Sequence, residues 1–314
     1  IGLVARTDQV MSADNFLKLP PHELHEALER VRVFSRVSPE QKLSLIELLQ
    51  EKGVVGFLGE GINDAPALKK ANVSMVVQSA SDIARETADI ILLKSDLKVI
   101  IEGIRLGRET HVNTAKYIRA TLASNFGNFY AVAVGSLFIS FLPMLPAQIL
   151  LLNLLSDFPM IAIALDRVDP RDTIKPQKYD LKSLAIITVT LGLVSTLFDF
   201  LYFGLFYKIS PEVLQTNWFI ASVLTEILLL FSIRSMRPAF KAGLPSPLII
   251  GLSLFAFCLT IAIPLIPATA SLFKFTTPTL SHMYIIVGLA FTYLLVTELV
   301  KIPLNRFLNK SATL

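Results

Sequence analysis

Hydrophobic and polar positions follow two different patterns along the chain. Up to about residue 111, short apolar runs alternate with stretches whose apolar residues recur at helical spacing. Residues 32–37 predict a strand edge. Residues 39–52 predict a helix, with Ser38 placed to cap its N-terminus, Pro39 at its first position and Gly53 closing it. Residues 54–58, 73–77 and 89–93 predict strands, 63–71 and 81–88 helices, and a long helix starts near Leu97. Strands alternating with helices imply a parallel sheet covered by helices.

From about Ile118 the pattern changes to apolar runs near 20 residues long, enough to cross a bilayer. Six such spans are predicted, near 118–141, 146–165, 183–207, 217–233, 247–266 and 283–300. The helix starting near Leu97 is expected to run on into the first span as a stiff connection. Pro143-Met144-Leu145-Pro146 makes a tight hairpin between the first two. The domain boundary is placed at 112, with an α/β head over 1–112 and an all-α membrane bundle over 113–314.

Composition supports that division. The 314 residues are 53% hydrophobic and 17% charged, where soluble domains average about 25% charged. Residues 1–117 carry 15 basic and 16 acidic side chains, and 118–314 carry 14 and 9. The basic excess therefore lies in the apolar half, which argues against nucleic acid as a partner and for loops flanking membrane spans. Eleven basic residues fall in the segments 166–182 and 234–246 and in the tail, against Lys208 and Lys274 on the other side. The positive-inside rule places the head and the C-terminus in the cytoplasm. A lone Cys258 excludes an internal disulfide, and the four histidines have no zinc-like spacing.

The run that carries chemistry is Gly59-Glu60-Gly61-Ile62-Asn63-Asp64-Ala65-Pro66-Ala67-Leu68-Lys69. It follows an apolar strand and opens a helix, which is where open α/β sheets bind ligands. Glu60 and Asp64 offer hard oxygens of the kind Mg²⁺ takes together with phosphate and water. Asn63 hydrogen-bonds without adding charge. In the membrane half, Asn125 and Asn128 sit in the first span, Asn153 and Asp157 lie four apart on the second, and Asp199 and Glu226 interrupt the third and fourth. Polar groups at that depth are costly and usually functional. Pro159 removes a helical N–H and so frees a carbonyl near 155, the kind of ligand a desolvated cation requires. Structural readings stand beside these: interhelical hydrogen bonds for the asparagines, structural pairs for the acids, and for Glu298 a solvated position at the end of a span.

The run 59–69 closely resembles the G-D-G-x-N-D-x-P-A-L-K signature of P-type cation-transporting ATPases. Phe34-Ser35-Arg36-Val37-Ser38-Pro39-Glu40-Gln41-Lys42 is similar to that family's F-A-R-V-x-P-x-x-K segment, and residues 82–89 and 113–119 resemble it as well. The resemblance implies an incomplete haloacid-dehalogenase-like, Rossmann-type phosphorylation domain joined to the transmembrane bundle. It implies that Lys42 contacts a phosphoryl group, that Asn63 and Asp64 belong to the catalytic loop, and that Glu60 and Asp64 hold Mg²⁺, with ATP as the phosphoryl donor. It also implies that Asn125, Asn128, Asn153 and Asp157 line the ion path, with Glu226 at a matching acidic position. Residues 124–128, 141–146 and 153–157 look most like the magnesium-transporting branch, and H⁺ and Ca²⁺ pumps share parts of the pattern.

The sequence departs from the family pattern in two ways. Glu60 stands where the family has Asp, and no D-K-T-G-T loop is present. The chain also begins at Ile1 rather than Met. The expectation is a C-terminal part of a pump, truncated and not competent alone. Its partners would be the cation, the lipid bilayer and a missing N-terminal half in trans. A non-catalytic cation-binding or regulatory module and one half of a split pump are the alternatives.

Overall fold

The computed structural model describes residues 4–94, 96–177 and 179–311, without the side chains of Phe240, Asn309, Lys310 and Ser311. Ile1, Lys178 and the Lys310 side chain, all used in the reading above, lie outside the described residues. The chain divides into two units, Ile1–Gly103 and Ile104–Leu314.

The first unit contains β1 (Val10–Ser12), α1 (Ala13–Leu17), α2 (Pro21–Arg30), β2 (Val33–Ser35), α3 (Pro39–Gln50), β3 (Gly56–Gly59), α4 (Ala65–Lys70), β4 (Val73–Val77), α5 (Asp82–Thr87) and β5 (Ile90–Leu92). Every strand pairing is parallel, as the alternation predicts, but the described strands form two sheets, β1-β2 and β3-β4-β5. Phe16, Ala27, Leu28 and Leu45 form a core under the first sheet, and Leu68, Val76 and Ala84 one under the second. The elements β1, α1 and α2 occupy residues where the sequence predicted none. A three-residue strand is too short to show the alternation that marks strands.

α3 starts as expected. Ser38 Oγ accepts from Gln41 N at 3.3 Å, and the Gln41 side chain accepts from Ser38 N at 2.9 Å, so two otherwise orphaned donors are satisfied. The same Ser-Pro device recurs at Ser210-Pro211 and Ser246-Pro247, where the hydroxyls accept from Val213 N and Ile249 N.

α6 (Lys98–Phe138) is a continuous helix of 41 residues that begins in the first unit and runs into the second. It is followed by α7 (Pro146–Ile161), α8 (Leu181–Phe206), α9 (Pro211–Ile233), α10 (Pro247–Leu265), the short α11 (Pro267–Phe273) and α12 (Leu280–Ser311). Among the described residues, five helical stretches are long and apolar enough to cross a membrane: Pro146–Leu165, Leu181–Phe206, Pro211–Ile233, Pro247–Leu265 and Leu280–Leu308. The sixth expected span falls on the second half of α6, where Ser124, Asn125 and Asn128 dilute the apolar character. α9 forms the centre of the bundle, being buried over 83% of its most apolar window, against 22–44% for the other four. α6 meets α8 through small residues: a Cβ on Gly127 would lie 2.8 Å from Ser195 Cβ, so only glycine permits the approach.

Arg234 and Lys301 of the loop tally are structural, and Lys116 of α6 joins Arg234. Arg234 and Lys116 both bond the Asp166 carboxylate, which is fully buried: Arg234 Nη2 donates at 2.8 Å, Arg234 Nε at 2.9 Å and Lys116 Nζ at 3.1 Å. Burial opposes the Asp166 charge, but Arg234 and Lys116 outweigh it and hold its pKa below the usual Asp value. Lys301, also in the tally, is buried, pairs with Glu298 at 2.7 Å and donates to the carbonyl of Ser232 at 2.6 Å. Glu298 is therefore only partly exposed and is engaged by protein groups, where a solvated position was expected. It accepts from Ser232 Oγ at 2.6 Å and Ala239 N at 2.8 Å, because a carboxylate three residues from a buried lysine is drawn into its network.

Candidate functional site

The chemistry-bearing loop of the first unit lies at the carboxyl end of β3, as the motif requires. Arg36, at φ 54°, takes the left-handed conformation and turns the chain from β2 towards α3. Lys42 lies in the first turns of α3, whose start the Ser38–Gln41 capping box fixes. Its Nζ reaches 2.6 Å from Asp64 Oδ1. Asp64 Oδ2 accepts from the backbone N–H groups of Glu60 at 3.1 Å and Gly61 at 3.2 Å. Desolvation works against this carboxylate, yet the Lys42 hydrogen bond and the two backbone donors prevail and lower its pKa from the ordinary Asp value. Gly59 is needed here, since a Cβ would lie 2.9 Å from Asp64 Cβ.

Lys42, Glu60 and Asp64 line one cavity of about 480 Å³, with Phe34, Ile46 and Phe57 among its walls. Glu60 is exposed and its carboxylate bonds nothing among the described residues, while Asn63 is exposed and lies outside the cavity lining. The structure thus brings together Lys42, Glu60 and Asp64, and leaves Asn63 beside them. As a donor set, one free carboxylate and one partly committed carboxylate fit Mg²⁺, which takes one or two protein oxygens and fills the rest with water or phosphate.

In the second unit, Asn125, Asn128 and Asn153 line a second cavity, of about 330 Å³, between α6, α7 and α9. Asn128 Nδ2 donates to Glu226 Oε1 at 2.5 Å, and Glu226 is only 5% exposed. Ser124 and Ser156 lie within reach of the same carboxylate, and Asp157 acts on it electrostatically. No cation pairs with Glu226 among the described residues. Asp157 itself is exposed and does not line the cavity. Asp199 does not line the cavity but is near enough to interact electrostatically with Glu226: its Oδ1 accepts from Trp218 Nε1 at 2.8 Å, and its Oδ2 has no partner among the described residues. Trp218 itself lines the cavity.

A family profile described as "Cation transporting ATPase, C-terminus" matches residues 141–302. The chain is 39% identical over 310 residues to the "Magnesium-transporting ATPase, P-type 1" of Escherichia coli strain K12, covering 96% of this chain and 34% of that protein. The chain belongs to the P-type cation-transporting ATPases. Calcium-transporting ATPases of Listeria monocytogenes and Bacillus subtilis are 30% and 29% identical over 98% and 92% of the chain, and over 36% and 34% of their own lengths. Similarity is thus higher to the magnesium-transporting relative, and this P-type ATPase chain spans about a third of the relatives it matches.

Trp218 of this P-type ATPase segment escaped the sequence reading, and Ser124 and Ser156 entered it only within the runs 124–128 and 153–157. Trp218 carried a signal, being the one tryptophan of the chain inside an apolar run. Ser124 and Ser156 carried none, because a serine in a helix that bonds its own backbone looks the same in sequence as one facing a carboxylate.

Proposed function

We propose that the chain is the C-terminal segment of an ATP-driven pump that moves a divalent cation across the membrane, Mg²⁺ before Ca²⁺ or H⁺. The carrying observation is Glu226. A carboxylate buried among helices, bonded by neutral Asn128 and without a cation partner among the described residues, is a poor structural element and a good ligand for a transported cation. Asn125, Asn128 and Asn153 supply neutral oxygens around the adjoining cavity. Such a set suits Mg²⁺ or Ca²⁺ better than a monovalent proton, which needs a single site. The 39% identity to a magnesium-transporting relative favours Mg²⁺.

On this reading the first unit is a haloacid-dehalogenase-like phosphorylation domain, in which phosphoryl transfer involves an Asp supplied from outside these 314 residues. Lys42 stabilises phosphoryl charge, oriented by Asp64, while Asp64 is itself held by two backbone donors. Glu60 and Asp64 would hold a Mg²⁺, which neutralises charge on the phosphoryl oxygens. Glu60 is one methylene longer than the family Asp, and its free, exposed carboxylate has room to adjust. Asn63 borders the loop, where it would hydrogen-bond the phosphoryl group.

The second half of α6 is the sixth span, so that the head and C-terminus share the cytoplasmic side. The exposed Asp157 would cost several kcal/mol against lipid, so its face of α7 packs against protein or water in the assembled pump. Asp199 is a secondary acid bonded to Trp218. The test is uptake of Mg²⁺ into proteoliposomes by a pump carrying this segment. ATP-dependent Mg²⁺ transport is expected. ATP-dependent Ca²⁺ transport with no Mg²⁺ transport would overturn the choice of ion, and no cation transport would overturn the pump.

A further inference from the structure

A third cavity, of about 310 Å³, lies at the end of the bundle where α6, α8 and α12 meet. Its walls change from polar to apolar along two helices in the same direction. From the segment before α8 onwards the order is Tyr179, Ser183, Leu184, Ile187, and on α6 it is His111, Ala115, Ile118, Arg119, with the Arg119 side chain turned back to the Ala115 carbonyl. Both helices run into the apolar part of the bundle in that direction, so the cavity has a wet end and an oily end.

Two opposite charges serve the wet end, Arg119 by folding back one helical turn towards it and Asp180 at the start of α8. Arg119 donates through Nε to Ala115 O at 3.0 Å, and its two terminal amines have no partner among the described residues. No acid pairs with it there; the acid that acts on it electrostatically, Asp172, is engaged by Arg237 at 3.7 Å. Asp180 caps α8, accepting from Lys182 N at 3.0 Å and from the Ser183 hydroxyl, and no described lysine or arginine pairs with it. A carboxylate has about four acceptor positions, so Asp180 keeps capacity for a further donor. Beside it the rings of His111 and Tyr179 lie with centroids 4.1 Å apart and tilted by 40°, and a tyrosine face is of the kind that receives ammonium groups.

We propose that this cavity binds the head group of an aminophospholipid. The phosphodiester sits on the Arg119 guanidinium, the ammonium on the Asp180 carboxylate and the His111–Tyr179 face, and the glycerol and first methylenes lie along Ile118, Leu184 and Ile187. A guanidinium matches phosphate geometry with paired N–H groups, and this one has its pair to offer. The paired opposite charges select a zwitterionic head group over a purely anionic one. The site rests on α8 and the second half of α6 lying in a bilayer, and not on transport.

The test is native mass spectrometry of the full chain in uncharged detergent, titrated with phosphatidylethanolamine and phosphatidylglycerol of identical acyl chains. Phosphatidylethanolamine is expected to bind more tightly. Arg119→Gln should weaken both lipids about tenfold, the loss of a charge-assisted hydrogen bond. Asp180→Asn, which keeps a capping side chain, should weaken phosphatidylethanolamine alone. Arg119→Lys should retain most of the binding. Tighter binding of phosphatidylglycerol by the unsubstituted chain, equal losses in Arg119→Lys and Arg119→Gln, or unchanged retention in Arg119→Gln would each overturn the assignment.

Discussion

Asp64 and Glu226 are both buried carboxylates, and their partners give them different roles. Asp64 has a cation at 2.6 Å and two backbone donors, so it is fixed as an anion. Glu226 has a neutral amide, so its charge waits for a partner. Replacing Asp64 by Asn should cost about 1–3 kcal/mol, since Lys42 loses a charged hydrogen bond. Chemical denaturation of the chain in mixed micelles, followed by a probe in the first unit, checks this. Because the native pKa of Asp64 lies below its unfolded value, its stabilisation is complete above about pH 4 and is lost as pH falls through the native pKa. Asp166 obeys the same sign. Asp166→Ala leaves Lys116 and Arg234 buried without a counter-charge and should destabilise the bundle by about 3–5 kcal/mol, read as a fall in thermal midpoint in detergent. The 59–69 loop was legible in the sequence because its ligands are contiguous. The Asp166 cluster was not, since Asp166, Lys116 and Arg234 are 50 and 68 residues apart and only packing joins them.

At the scale of elements, the helices were legible wherever the chain carried its own start signal. Ser38-Pro39 marks a first turn that the structure confirms, and the same pair opens α9 at Ser210-Pro211 and α10 at Ser246-Pro247, where the sequence reading did not use it. The apolar runs were equally plain, and the expected start at 217 differs from the observed Pro211 because Gln215, Thr216 and Asn217 are buried polar residues that look like loop in sequence. Two short sheets replaced the single expected one because strand pairing is non-local and no single run encodes it. Contact between α6 and α8 depends on Gly127. Gly127→Leu should force the helices apart and displace Asn128 from Glu226. Cysteine crosslinking between α6 and α8 should drop sharply in that variant, whereas Gly103→Leu, which meets open space, should leave it unchanged.

For the whole molecule, a 41-residue helix and a set of neutral and acidic side chains inside the bundle are the parts from which coupling would be built. The sequence alone placed Asp157 on the ion path with Asn125, Asn128 and Asn153, and Glu226 beside them as a further acid. The structure puts Asn153 at the cavity, leaves Asp157 exposed and moves the weight to Glu226, because helical spacing fixes a common face but not which neighbour that face meets. The most direct test is the cation dependence of phosphoenzyme formation in a pump carrying this segment, comparing the unsubstituted protein with Glu226→Gln. The substitution keeps the shape and the Asn128 contact in reach while removing the charge. Loss of that charge should raise the Mg²⁺ concentration for half-maximal effect by about tenfold or more, the scale of one charged ligand. An unchanged Mg²⁺ dependence in a folded Glu226→Gln protein would contradict the account.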